Sequence, residues 1–97
     1  MSVSILLELK VAPGKLPDVK AYLESLLPVT REYPGFIRMD VFVNQDDEND
    51  IVCVEEWQSR NAYETYFNWR AENGVFDKLA TMIAAEPRVR FLDNTNI

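Results

Sequence analysis

The chain has 97 residues, 47% hydrophobic, 11% aromatic and 27% charged, with 10 basic against 16 acidic residues, a net charge of −6 and no histidine. That length is one domain, and the acidity argues against nucleic acid and anionic membrane surfaces, which are held through clustered Lys and Arg. The lack of histidine excludes a Ser-His-Asp triad, a His-ligated zinc or iron site and a proximal-His haem pocket.

Val3 to Val11 reads as the first strand, with Val3, Ile5, Leu7, Leu9 and Val11 alternating and Leu6 on the other parity. Pro13-Gly14 turns the chain. From Leu16 the period changes: Leu16, Val19, Leu23, Leu26, Leu27 and Thr30 recur at steps of three and four, an amphipathic helix with Lys15, Asp18, Lys20 and Glu24 towards water. Pro17 suits its first turn, and Pro28 is expected to kink or end it.

Two strands follow Tyr33-Pro34-Gly35, over Phe36 to Asn44 and Ile51 to Gln58, joined by a polar hairpin loop from Gln45 to Asp50. Ser59 is a candidate N-cap for a second helix with Ala62, Tyr63, Tyr66, Phe67 and Arg70 on one face. Asn73-Gly74 breaks that helix, and a third piece places Val75, Phe76, Leu79, Ala80 and Ile83 inward. Pro87 leads into a last strand, Arg88 to Leu92, and a polar tail over 93–97.

The order β-α-β-β-α-β, with the second helix split, predicts an α+β, ferredoxin-like domain over residues 1–97 with a four-stranded antiparallel sheet covered on one face. Met39, Val41 and Val43 share one parity of the second strand, and Phe36, Arg38, Asp40 and Phe42 the other. Val52 and Val54 oppose Ile51, Cys53 and Trp57 in the third. Both faces are therefore partly apolar, and a homodimer with its sheets face to face is expected. No apolar run nears the ~18 residues of a membrane span. The start lacks a signal peptide, and the single cysteine fits a reducing compartment, so a cytoplasmic protein is expected.

Candidate chemistry lies in two places. In the second helix, Tyr63, Tyr66, Phe67 and Arg70 share a side with Trp69 at its margin. They are either core or the wall of a pocket for a planar aromatic ligand. Arg70 contacts an anion or makes a surface salt bridge. In Glu55-Glu56-Trp57, alternation sends Cys53, Glu55 and Trp57 one way and Glu56 the other. One glutamate therefore enters a covered face, where desolvation raises its pKa towards that of a general base. The bland alternative is an ion pair with Arg38, Arg88 or Arg90. Cys53 reads as a small buried hydrophobe rather than a nucleophile. The acidic run Asp46 to Asp50 lacks the ligand spacing of an EF-hand loop. Arg88 and Arg90 share one face of the last strand, to neutralise sheet carboxylates or hold an anionic substrate group.

Taken together, the opening strand with Val11-Ala12-Pro13-Gly14-Lys15, Thr30-Arg31-Glu32-Tyr33-Pro34-Gly35-Phe36, Glu55-Glu56-Trp57-Gln58-Ser59 with Ala62, and Pro87-Arg88-Val89-Arg90-Phe91 resemble the antibiotic biosynthesis monooxygenase family from Val3 to Asp93. The resemblance implies a dimeric α+β barrel with a pocket between sheet and helices in each subunit. It implies cofactor-free oxygenation of quinols or polyketide phenols, haem degradation, or action on signalling molecules. Trp57 is similar to the tryptophan of the quinone-forming members, whose asparagine four residues earlier is Cys53 here. Histidine in the following helix of many relatives is replaced by Tyr63, Tyr66 and Phe67. Without a histidine ligand, haem degradation is not expected.

A cofactor-free oxygenase must turn a phenol into an electron-rich phenolate inside a dry pocket. The reading is thus a monooxygenase with no cofactor, taking a small aromatic, phenolic or quinol-like substrate and O2. Glu55 (or Glu56) would be the base, with Tyr66 and Trp69 orienting the ring and Arg70 or Arg90 as the cation. Cys53, Trp57, Tyr63 and Phe67 would complete the substrate contacts. The alternatives are a non-catalytic ligand-binding or structural dimer, and an oxygen-independent isomerase on the same scaffold.

Overall fold

The computed structural model describes residues 2–97. Its elements run β1 (Val3–Lys10), α1 (Leu16–Arg31), β2 (Phe36–Asn44), β3 (Asp47–Trp57), α2 (Arg60–Glu72), α3 (Val75–Ala80) and β4 (Arg88–Leu92). The strands form one antiparallel sheet in the order β2-β3-β1-β4, the α+β arrangement expected from the alternation of periods. Among the described residues no helix is long and apolar enough to cross a membrane.

Residues paired directly across antiparallel strands share a face. The inner face is therefore set by Val3 opposite Trp57, Ile5 opposite Glu55, Leu7 opposite Cys53 and Leu9 opposite Ile51, with Phe91 and Val89 continuing it on β4. Every one of those residues on β1 and β3 is buried, and the helices pack over them. One apolar cluster joins the β1–β3 centre to Val19 and Leu23 of α1 and Val75 and Leu79 of α3. A second gathers Val3, Ile5, Trp57 and Tyr63. The outer face carries Leu6, Val52, Val54, Phe42 and Leu92 among charged residues, and Phe42 is 56% exposed.

Several boundaries differ from the sequence reading. Of the two outcomes expected at Pro28, the helix does not end there but continues to Arg31, just before Tyr33-Pro34-Gly35, and Thr30 near its end bonds back to the Leu26 carbonyl through Oγ1 at 3.0 Å. The hairpin loop shrinks to Gln45-Asp46, because β3 starts at Asp47 instead of Ile51. A register shift makes room, with Val43 opposite Ile51 but Asn44 opposite Asp47. The acidic run is thus mostly strand. The Asn44 amide and Lys10 hold the Asp50 carboxyl below its usual range.

A second shift between Phe36 and Arg38 moves Phe36 from its expected parity to the inner face, where its ring meets Trp57 edge-on at 5.5 Å. Ala80, expected inward, is exposed at the end of α3, while Ile83 forms a bridge with Val11. Ser59 caps α2 by accepting the Ala62 N–H at 3.1 Å. Gly35 is required beside it: at φ +92° a Cβ there would lie 2.6 Å from the Ala62 Cβ.

Candidate functional site

The inner face and the three helices enclose a cavity of ≈ 40 Å³. Leu7, Met39 and Glu55 form its floor from the sheet, and Leu23, Leu26, Leu27 and Thr30 one wall from α1. Tyr63, Tyr66, Phe67 and Arg70 come from α2, and Val75, Phe76 and Leu79 close it from α3. At about 10–15 Å³ per water that volume holds roughly three waters. Phe67 stacks on Phe76 at 4.3 Å to complete the aromatic side.

Glu55 reaches this floor because β3 alternates without interruption from Ile51 to Trp57. Its side chain is 2% exposed. The indole N–H of Trp57, two residues on and on the same face, donates to Oε1 at 3.0 Å. Burial pushes the Glu55 carboxyl up to about 7, and the indole bond offsets part of that rise. Glu56 points to the outer face, where Arg38 Nε lies 3.4 Å from Oε1 and Ser2 donates to Oε2 at 2.6 Å. The two readings of the glutamate pair therefore divide between its members: Glu56 makes the ion pair, and Glu55 enters the cavity without one.

The opposite polar group on the lining is Arg70, 7% exposed at the last turn of α2. Its Nε donates to Tyr66 Oη at 3.0 Å, and Nη2 donates to the Leu26 carbonyl and to Thr30 Oγ1, both at 2.9 Å. Thr30 Oγ1 and Tyr66 Oη are 2.7 Å apart. With Thr30 donating to Leu26 O, Tyr66 donates to Thr30 and accepts from Arg70, so each hydroxyl proton has one place to go. Neither an exposed salt bridge nor any carboxylate partner forms at Arg70 among the described residues.

The remaining candidates divide by position. Tyr63 lines the cavity, 2% exposed, with Trp57 at 5.6 Å and Phe91 at 5.7 Å. Burial, then the charge of Glu55, pushes its hydroxyl up. Trp57 lies behind the wall, fully buried and holding Glu55. Trp69 is also outside the lining, packed on Tyr33 at 5.4 Å. Cys53 is sealed in the core with its thiol pushed up to about 12 by burial and by Glu55, so it offers neither a thiolate nor a wall. Arg90 pairs with Leu6 on the outer face of the sheet and does not reach this cavity. Thr30 was missed as a functional position. A hydroxyl on the apolar stripe of a helix must find a buried partner, and that was the available signal.

The sequence model of the antibiotic biosynthesis monooxygenase family matches residues 2–71. No curated protein matches the chain. Among solved structures, a conserved protein from Methanosarcina mazei superposes with a TM-score of 0.87 at 16% identity, over 98% of this chain and 94% of the other. A structure described as an antibiotic biosynthesis monooxygenase gives 0.84 at 20% identity, over 96% and 98%. A protein from Shewanella oneidensis gives 0.80 at 20%, over 94% and 90%. At these identities the likeness shows the fold, and it extends through α3 and β4 beyond the family match.

Proposed function

The chain belongs to the antibiotic biosynthesis monooxygenase family, and on that premise we propose that it oxidises a small phenolic or quinol-like aromatic with O2, with Glu55 as the base. The observation that carries this reading is a carboxyl with its pKa raised to about 7, buried on the floor of an otherwise apolar cavity. A base with a pKa near the working pH removes a phenol proton most effectively. The phenolate left behind is rich enough in electrons to reduce oxygen directly. For a naphthol, one oxygen atom enters the ring, the other leaves as water, and the four electrons required come from the substrate as it becomes a naphthoquinone. Tyr63, beside Glu55, faces the forming oxyanion, and Tyr66 and Phe67 supply ring faces for stacking.

The protein acts as a cytoplasmic homodimer in this proposal. The outer-face residues Leu6, Val52, Val54, Phe42 and Leu92 support a second copy as the cover of the sheet, and the lone, buried Cys53 suits a reducing compartment. Sedimentation as a monomer at micromolar concentration would contradict that part.

An oxygen electrode with hydroquinones, naphthols and anthrones tests the chemistry. Protein-dependent uptake with quinone absorbance is expected, falling about 100-fold or more in Glu55→Gln. That variant keeps the acceptor for the Trp57 indole, so folding should be preserved. The narrowness of the cavity favours a second reading, a binder of small ligands that consumes no oxygen. Ligand-induced tryptophan quenching without uptake would establish it in place of the oxygenase, and substrate rearrangement without uptake would indicate an isomerase.

A further inference from the structure

We infer that Arg70 binds a carboxylate on the ligand, so that the aromatic compound taken into this cavity is a hydroxyaryl acid rather than a neutral phenol. The inference rests on the cavity being the binding site and names the second group its ligand carries.

The ion pairs elsewhere in the described residues are at least partly exposed, among them Lys10 with Asp50, Arg38 with Asp40 and Glu56, and Arg88 with Glu8. Arg70 is the buried cation, and it has no such partner. A guanidinium does not shed its proton in a protein, so its charge remains however deeply it is placed. A largely buried charge is disfavoured when no opposite charge stands beside it, and here only the solvent contact left at Nη1 eases that. Three of its five N–H groups are used, on the Leu26 carbonyl, Thr30 and Tyr66. Those acceptors are neutral. The ring faces of Trp69, 4.8 Å from Cζ, and Tyr66, 5.3 Å away, add cation–π attraction but no net negative charge. Both N–H groups of Nη1 are without a protein partner among the described residues, and Nη1 is not sealed from solvent, so it is the part of the guanidinium that a ligand can reach.

Glu55 does not fill the gap, because no ion pair joins it to Arg70 and its carboxyl is raised by burial rather than lowered by a cation. Holding α1 to α2 would require only a neutral donor; the charge is the part that this structural role leaves unexplained. A singly charged carboxylate matches one free nitrogen better than a phosphate, whose dianion would require several more donors than this apolar lining provides. The Leu, Phe67 and Phe76 walls suit the ring.

The test uses the whole protein under nitrogen, so that turnover does not interfere, at pH 6, where Glu55 is mostly protonated and does not repel an anion. Dissociation constants are measured by tryptophan quenching and calorimetry for 1-hydroxy-2-naphthoate and for its neutral analogue with a hydroxymethyl group in place of the carboxylate. The acid should bind at least about tenfold tighter to the wild type, a difference of ~1.4 kcal/mol. Arg70→Gln should bring the ratio near one, and Arg70→Lys should retain part of it. Equal binding of the two compounds by the wild type overturns the inference even if no Arg70 variant folds, and so does failure of the acid to bind at millimolar concentration. An unchanged ratio in Arg70→Gln, with both compounds weakened alike, assigns Arg70 to structure alone. Discrimination without oxygen uptake would sink the oxygenase reading and leave this one standing; uptake with neutral naphthols and no discrimination would do the reverse.

Discussion

Two of the ionisable side chains that line the cavity, Glu55 and Arg70, have their burial managed in opposite ways. Glu55 has a single hydrogen bond, from Trp57, and accommodates burial by keeping its proton up to about pH 7. Arg70 has no such option, and it is wrapped instead by a carbonyl and two hydroxyls on α1 and α2. The difference follows from chemistry rather than depth: a carboxyl becomes neutral at modest cost, whereas a guanidinium must be solvated by the protein. The weakly supported group is the one whose protonation can change during a reaction. The strongly supported one is suited to holding a fixed charge in place.

The largest effect separating the two ends is a pH dependence that only Glu55 should show. Its folded pKa, about 7, exceeds the usual 4.5, so between those values the native state binds a proton that the unfolded state has lost. Stability contributed by the protonated carboxyl is complete below about pH 4.5 and is lost as pH rises towards 7, by about 3 kcal/mol in all. Denaturant titrations at pH 4.5 and 8 should show this loss in the wild type and its absence in Glu55→Gln; equal losses in both would place the titration elsewhere.

At the other end, Thr30→Val keeps the shape but removes the hydroxyl shared by Tyr66, Arg70 and Leu26 O. Because Arg70 stays charged, a loss of about 1–3 kcal/mol is expected, with little change in its pH dependence. An unchanged denaturation midpoint would show that Arg70 finds other acceptors.

The smallest effect on the titration should come from Trp57→Phe, which lowers stability by shrinking a fully buried side chain but also removes the one hydrogen bond favouring ionised Glu55. The pH midpoint governed by Glu55 should move upward, by up to about one unit. A downward shift would mean that the indole stabilises the protonated form.

Much of this architecture was legible in the chain because strand and helix periods differ: Val3 to Leu9 alternate by two, and Leu16 to Thr30 recur by three and four. Which face of β3 was covered was not legible, since Ile51, Cys53 and Trp57 on one parity and Val52 and Val54 on the other are equally apolar. Glu55 and Glu56 therefore could not be told apart, and Arg90 could not be excluded from the cavity. Phe36 was misplaced because the shift beside Ile37 leaves no mark in composition. The setting of Arg70 depends on Leu26 and Thr30, 44 and 40 positions away, and only the packing of α2 beside α1 brings those groups together.

The ≈ 40 Å³ enclosure also has a consequence for timing. If the proposed aromatic ligand is to sit in this space, the half-buried Leu27, Phe67 and Phe76 side chains that line it must part to admit the ring. Binding under that proposal would resemble passage through a turnstile: beyond a certain ligand concentration the observed rate should level off at the opening frequency of the wall, and mutations that loosen the wall should raise the plateau.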